Sequence, residues 1–135
     1  MICTAYTTND KTAPASSAVL SGNARDFLTF EQILFVGGTI HRKGIDVVLE
    51  AYLHAFKSNE DVCLVIKGQP GTVYQGSDLH GFLENVRTRF PDAPEIEYLT
   101  EALTEDEVIA LYRSCDVLAL QYRGEGFGLP IAEAM

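Results

Sequence analysis

Several features of common protein classes are missing from this sequence of 135 residues, and each absence excludes a class of function. No apolar run approaches the ~20 residues of a membrane-spanning helix, so we expect no transmembrane segment. The first ten residues have neither a basic start nor an apolar core and are not typical of a secretory signal. Basic residues are also few, and the net charge of −9 argues against nonspecific nucleic-acid binding.

Cysteine is scarce and has no ligand spacing. Cys3, Cys63 and Cys115 are odd in number and far apart, which favours free thiols in a reducing cytoplasm. No cluster of His, Cys and Asp has the spacing of a metal site, so we predict neither a metal nor another cofactor. Residues 37–44 contain two glycines followed by a Lys-Gly pair, but they match neither the P-loop order nor the dinucleotide-binding G-x-G-x-x-G order.

The pattern of apolar residues divides the chain in two. Residues 1–31 are rich in Thr, Ser and Ala without a sustained period, and we interpret them as a loosely ordered lead-in. Residues 32–135 alternate short apolar runs with helical spacing, which predicts an α/β domain with a doubly wound parallel sheet of about four strands. The predicted strands are Ile33–Val36, Val62–Ile66, Ile96–Leu99 and Asp116–Leu120. The predicted helices begin near Ile45, Leu79 and Thr104, the last with Glu107 completing a capping box.

Basic residues cluster at one edge of the predicted sheet. In open α/β sheets, ligands bind beyond the carboxyl ends of the strands, where the strand order reverses. Arg42 and Lys43 follow the first strand, Lys67 ends the second, and Arg123 follows the fourth. Four of the ten basic residues therefore come to one edge of an acidic domain, which favours an anion site there.

The last eleven residues, 125–135, are the most informative segment. They contain two carboxylates eight positions apart, Glu125 and Glu133, with Pro130 between them. Proline suits the first position of a helix, so we expect a short helix to begin near Leu129. Free backbone amides at the start of a helix suit a phosphate or sugar hydroxyls.

Four blocks of the sequence together resemble one protein family. Residues 33–46 (ILFVGGTIHRKGID), 64–68 (LVIKG), 103–120 and 125–135 (EGFGLPIAEAM) are similar, in this order, to retaining nucleotide-sugar glycosyltransferases of family 4, the glycosyl transferases group 1 type. The resemblance implies the Rossmann-like, donor-binding half of a two-domain GT-B fold. It also implies a C-terminally truncated domain, without the N-terminal acceptor domain that such enzymes use.

The resemblance assigns roles to the basic residues. Lys43 would be a catalytic residue that binds the diphosphate, with Arg42 beside it and Lys67 near the phosphates. The family usually has an arginine five residues before this lysine, where this chain has Gly38. Each lysine also has an ordinary interpretation, Lys43 as an exposed turn residue and Lys67 as a residue whose stem packs at the end of a strand.

The resemblance also assigns roles within the Glu motif. Glu125 would be catalytic and touch the donor sugar, and Glu133 would accept hydrogen bonds from ribose hydroxyls. The backbone of Phe127, Gly128 and Leu129 would bind the sugar and phosphate. The alternatives are solvated carboxylates and a Phe127 ring that fills the core, and Arg123 either adds charge at the site or lies on the surface.

We therefore predict a cytoplasmic glycosyltransferase donor-binding domain that takes a nucleoside-diphosphate sugar and is inactive as an isolated fragment. The alternative is a non-catalytic module, derived from such an enzyme, that binds a nucleotide or a partner. Epimerases and phosphorylases of the same architecture match the Glu motif less well. The fourth strand, apolar on both faces, would become an exposed sheet edge with uncovered Val117, Leu118 and Leu120, which predicts a homo-oligomer or another partner there. The alternative is that the lead-in, residues 1–31, folds over this edge and covers it.

Overall fold

The computed structural model describes residues 31–69, 73–74 and 77–135. Four parallel strands form one sheet, in the order β5-β2-β1-β6. The strands of this sheet are β1 (Glu31–Val36), β2 (Val62–Lys67), β5 (Glu95–Leu99) and β6 (Val117–Leu118). The helices are α1 (Ile45–Ala55), α2 (Leu79–Arg89), α3 (Glu105–Ser114) and α4 (Leu129–Ala134). A 3-10 turn, His41–Lys43, precedes α1, and a small antiparallel pair, β3 (Val73–Tyr74) and β4 (Ser77–Asp78), precedes α2.

The two central strands supply both cores of the domain. Successive side chains of a strand point to opposite faces, so an apolar run in the middle of a sheet packs on both sides. On one face, Phe35, Leu64 and Ile66 pack with α1 and with Leu83 of α2. On the other face, Leu34, Cys63 and Val65 pack with Leu111 of α3. Helices thus cover both faces, which confirms the predicted doubly wound α/β fold.

The strand order determines where a cleft can form. The chain runs outward from β1 through β2 to β5 and then returns to the other side of β1 for β6. The order reverses between β1 and β6, and this is where open α/β sheets leave a crevice at the carboxyl ends of their strands. The segments that leave β1 and β6, residues 37–44 and 119–128, therefore face each other.

Local sequence chemistry accounts for the ends of the helices. Thr104 is the N-cap of α3, and its side chain and that of Glu107 form the predicted capping box. Gly44, in the left-handed region with φ of 73°, precedes α1. The helix α4 begins at Leu129 with Pro130 in its first turn, as the Glu motif predicts.

The fourth strand differs from its prediction. Of the predicted Asp116–Leu120, only Val117 and Leu118 form β6, because the chain then turns away from the sheet toward residues 42–44. In the described part of the chain, β6 has a sheet neighbour on one side only, and Val117 is 51% exposed. The expectation that Leu118 and Leu120 are uncovered is wrong, since both are partly buried against the cores.

The predicted lead-in, residues 1–31, lies outside the described residues except for Glu31, which begins β1. Cys63 is buried and Cys115 is partly buried, and both carry free thiols. Among the described residues, no helix is long and apolar enough to cross a membrane.

Candidate functional site

A cleft of about 630 Å³ opens at the carboxyl ends of β1 and β2, beside the start of α4. Its walls come from the segments after β1, β2 and β6 and from α3. All eight residues that the sequence proposes for the site line this cleft, namely Arg42, Lys43, Lys67, Glu125, Phe127, Gly128, Leu129 and Glu133. The cleft therefore brings together residues up to 91 positions apart in the sequence, although their roles stay predictions.

A tight turn presents Arg42 and Lys43 to the cleft. The amide of Lys43 donates to the Ile40 carbonyl at 2.9 Å, and Gly44 follows in the left-handed region. A Cβ on Gly44 would lie 1.8 Å from the carbonyl oxygen of Gln121, in the segment after β6. Only glycine permits this close approach, which holds the basic turn against the segment that carries Glu125.

Arg123 holds the same two segments together from outside the cleft. Its guanidinium donates to both carboxylate oxygens of Asp46, at 2.7 and 2.8 Å, and to the His41 carbonyl at 2.7 Å. Its amide donates to the Arg42 carbonyl at 2.9 Å. Bidentate pairing of this kind is geometrically specific. Arg123 is therefore a structural link to the first turn of α1 and does not line the cleft.

Both cations of the turn contact the segment that carries Glu125. The Lys43 ammonium lies in direct contact with one carboxylate oxygen of Glu125. Arg42 donates to the Gly124 carbonyl at 2.8 Å, and its Nη1 lies 3.7 Å from Glu125 Oε1. The Gly126 amide also donates to Oε1, at 2.9 Å. The Lys43 hydrogen bond and then that of Gly126 lower the pKa of the Glu125 carboxyl, so it is an anion at neutral pH.

Tyr122 is part of this cluster and was missed by the sequence reasoning. The Lys43 ammonium lies 4.7 Å from the centre of the Tyr122 ring, within cation–π range. The Tyr122 hydroxyl is buried and has no hydrogen-bond partner in the part of the chain that the structure describes. Burial, and then the Glu125 charge, raise the pKa of this phenol. No local pattern marks Tyr122, because its contact with Lys43 depends on the pairing of β1 with β6.

Lys67 lies on the opposite wall, at the end of β2. Its ammonium donates to the Gly68 carbonyl at 2.7 Å, and burial lowers the pKa of the amine. Gly68 is packed so closely on Tyr98 that a Cβ would lie 2.6 Å from its ring. The packing of Gly68 on Tyr98 fixes the carbonyl that the Lys67 ammonium contacts, and this contact holds Lys67 beside the cleft. Both interpretations of Lys67 agree with this position.

Glu133 faces the cleft from α4 and is oriented by α3. The Tyr112 hydroxyl donates to Glu133 Oε2 at 3.0 Å. Burial, and then the hydrogen bond to Glu133, raise the pKa of Tyr112. In the described residues, Oε1 has no partner and remains able to accept a hydrogen bond. The sequence did not indicate Tyr112, which carries no motif.

The remaining predicted residues lie at the mouth of the cleft. Phe127 is 80% exposed, so the interpretation in which its ring fills the core is wrong. Leu129 is also exposed, whereas Gly128 is buried with φ of 75° and precedes α4. Gly38 lines the cleft where the resembled family usually has arginine, so this wall carries no side chain.

The chemistry available in the cleft is electrostatic. Three cations, Arg42, Lys43 and Lys67, and two carboxylates, Glu125 and Glu133, surround one space. In the described ranges, no three His, Cys, Asp or Glu side chains lie close enough together to share a metal ion. Fixed cations of this kind can stabilise an anion that develops charge.

One comparison with known proteins identifies a family. The sequence profile described as "Glycosyl transferases group 1" matches residues 24–135, which is most of the chain. A search of curated proteins finds no match.

Proposed function

Since the chain belongs to the group 1 glycosyltransferases, we propose that its cleft binds a nucleoside-diphosphate sugar as the glycosyl donor. The observation that carries this proposal is the meeting of three cations and two carboxylates in one cleft, beside the point where the strand order reverses. A diphosphate needs cations, and the hydroxyls of ribose and of a sugar need carboxylate acceptors. The cleft offers both within one space.

The proposed reaction breaks the bond between the anomeric carbon and the diphosphate oxygen, and it forms a bond from that carbon to the oxygen of an acceptor hydroxyl, whose proton leaves with the diphosphate. Lys43 and Arg42 stabilise the negative charge that develops on the departing diphosphate. Glu133, oriented by Tyr112, accepts hydrogen bonds from the ribose through its unpaired Oε1. Glu125 contacts the donor sugar, and Lys67 borders the phosphates.

Two finer features of the proposal follow from the resemblance of the Glu motif and the Lys-Gly turn: the transfer retains the anomeric configuration, and the fold is the donor half of a GT-B enzyme. The free thiols of Cys63 and Cys115 support a third feature, that the enzyme works in the reducing cytoplasm. In that architecture a second domain binds the acceptor and completes the catalytic site. A site assembled from two halves loses its positioning when only one is present. The 135 residues alone are therefore expected to bind the donor without transferring the sugar.

Calorimetric titration of the chain with UDP, GDP, ADP and their glucose esters tests the proposal. Lys43→Ala is expected to weaken binding by about 1–3 kcal/mol, the scale of a hydrogen bond to a charged group. Lys57→Ala is the matched control, because Lys57 is an exposed lysine in the turn before β2 and does not line the cleft. Radiolabelled donors given to the same preparations check that transfer does not exceed hydrolysis.

Two results would contradict the proposal. One is the absence of binding with every nucleotide at millimolar concentration in a folded preparation. The other is an equal loss of affinity in Lys43→Ala and Lys57→Ala, because it would mean that only the overall charge matters. Efficient sugar transfer by the chain alone would contradict the proposal that a second domain is needed for transfer. It would not contradict the proposal that the cleft binds the donor.

A further inference from the structure

Two of the three cations of the cleft, Arg42 and Lys43, already have an anionic partner. Lys43 contacts one oxygen of Glu125, and the other oxygen lies 3.7 Å from Arg42 Nη1. The side chains of Lys43 and Glu125 are only 15% and 22% exposed, so water screens this contact less than it screens a fully exposed pair. A diphosphate that approaches the Lys43 ammonium therefore competes with the Glu125 carboxylate for it.

We propose that Glu125 is a built-in competitor for the diphosphate, and that an incoming diphosphate displaces its carboxylate from Lys43 and Arg42. This inference rests on the proposed function of the cleft. Glu125 thereby determines how strongly an anion must interact with the cations before it binds. An anion that offers several charged oxygens to both cations can replace one carboxylate, whereas a weak monoanion gains little by doing so.

Lys43 keeps its position when Glu125 leaves. The ring of Tyr122 lies 4.7 Å from the Lys43 ammonium and continues to attract it. The turn that carries Lys43 is held by the contact between Gly44 and Gln121, which does not involve Glu125. The cations are therefore organised before the anion arrives, and only the carboxylate has to move.

The segment that carries Glu125 has room to move. Gly124 and Gly126 flank the residue, and a Cβ on Gly126 would meet nothing within 4 Å. Within the segment, Glu125 is held mainly by the Gly126 amide, at 2.9 Å from Oε1. The Gly126 amide is therefore a local reporter, because its environment changes when the carboxylate leaves.

Inorganic pyrophosphate tests the inference without knowledge of the base or the sugar. Isothermal titration at constant salt compares the native chain, Glu125→Gln and Glu101→Gln. Glu101 is an exposed carboxylate that does not line the cleft, so its variant matches the change in net charge. We expect Glu125→Gln to bind pyrophosphate about 2- to 5-fold more tightly than the native chain, the range of an ion pair near the surface. Glu101→Gln should match the native chain.

A second measurement follows the carboxylate itself. In the native chain, saturating pyrophosphate is expected to shift the NMR signal of the Gly126 amide, which loses its acceptor. Lys43→Met introduced into Glu125→Gln should cancel the gain in affinity, since the competitor acts through this cation. Unfolding midpoints of all variants verify that each one is folded.

The possible outcomes separate the inference from the proposed function. If the native chain binds pyrophosphate and Glu125→Gln binds it equally or more weakly, the inference is overturned and the proposed function stands. An unmoved Gly126 amide at saturation also overturns the displacement. If neither pyrophosphate nor UDP, GDP or ADP binds any folded form of the chain, the proposed function fails and the inference fails with it.

Discussion

Gly44 is the position at which one added methyl group should do most harm. Its φ of 73° lies in the left-handed region, and a Cβ there would be 1.8 Å from the carbonyl oxygen of Gln121. A Cβ atom essentially never lies closer than 3.0 Å to such a neighbouring atom, so the backbone of one segment would have to move by roughly 1.2 Å. Such a movement separates the turn that carries Lys43 from the segment that carries Glu125.

The cost of Gly44→Ala has two parts. The left-handed conformation costs a residue with a Cβ about 1–2 kcal/mol. Overpacking costs about 1–3 kcal/mol more, because the Arg123 contacts hold the Gln121 segment in place. The sum, roughly 2–5 kcal/mol, is a large part of the 5–15 kcal/mol that stabilises a typical domain. With a mid-range urea slope of about 2 kcal/mol per molar, the midpoint should fall by roughly 1–2.5 M.

Equilibrium unfolding in urea, followed by circular dichroism, measures this change. Gly126→Ala is the control, because Gly126 is not in the left-handed region and its Cβ would meet nothing within 4 Å. A surface change of this kind should alter stability by less than about 0.5 kcal/mol. Equal midpoints for the two variants would refute the reasoning, since they would show that the backbone around Gly44 accommodates a Cβ without loss of stability.

Three further predictions concern other parts of the molecule. Tyr122→Phe removes a buried hydroxyl that has no partner in the described residues, so the unfolding free energy should stay level or rise by about 1 kcal/mol; a marked loss would reveal a hidden partner. The hydrogen bonds that Glu107 accepts from Thr104 lower the pKa of its carboxyl in the folded protein. The ionised carboxyl therefore stabilises the fold at pH values above the pKa of Glu107 in the unfolded chain, and this stabilisation is lost as pH falls through its pKa in the folded protein. The urea midpoint of the native chain should therefore be higher than that of Glu107→Gln at neutral pH, and the two midpoints should become equal in acid. A difference between the midpoints that does not change with pH would contradict this. Sedimentation over a range of concentrations should reveal self-association through β6, whose Val117 is 51% exposed; a monomer at high concentration with exchange-protected β6 amides would reject it.

The parts of the fold that follow local rules could be predicted from the sequence. The apolar runs that became β1 and β2 were identified to within two residues of their ends, because a buried parallel strand needs apolar side chains on both faces. The capping box of α3 and the proline start of α4 were equally local features. Since parallel strands end at one edge, the same reasoning placed Arg42, Lys43 and Lys67 together, and the resemblance of the Glu motif supplied the other five candidate residues that line the cleft.

The contacts within the cleft could not be predicted in this way. The Lys43–Glu125 pair spans 82 residues, and the Arg123–Asp46 pair spans 77. Such pairs depend on the register between β1 and β6 and on rotamers that no sequence period encodes. The same holds for Tyr122, whose position follows from the point at which the chain leaves the sheet after β6. The early end of β6 is also a tertiary effect, because contact with Gly44 draws the chain away.

The pairing of β1 with β6 has a consequence for how the molecule opens. Only two residue pairs, Ile33↔Val117 and Leu34↔Leu118, join the strands in register, compared with six between β1 and β2. The sheet hydrogen bonds thus join the segment from β6 onward along a short seam, which the side chains of Arg123, Lys43 and Tyr112 supplement. Regions with few sheet contacts are the first to open in hydrogen exchange. A ligand held by Lys43 on one side and Glu133 on the other would bridge that seam. The bound ligand would close a loop of roughly ninety residues between these two side chains. When the ligand leaves, the last part of the chain should open more often.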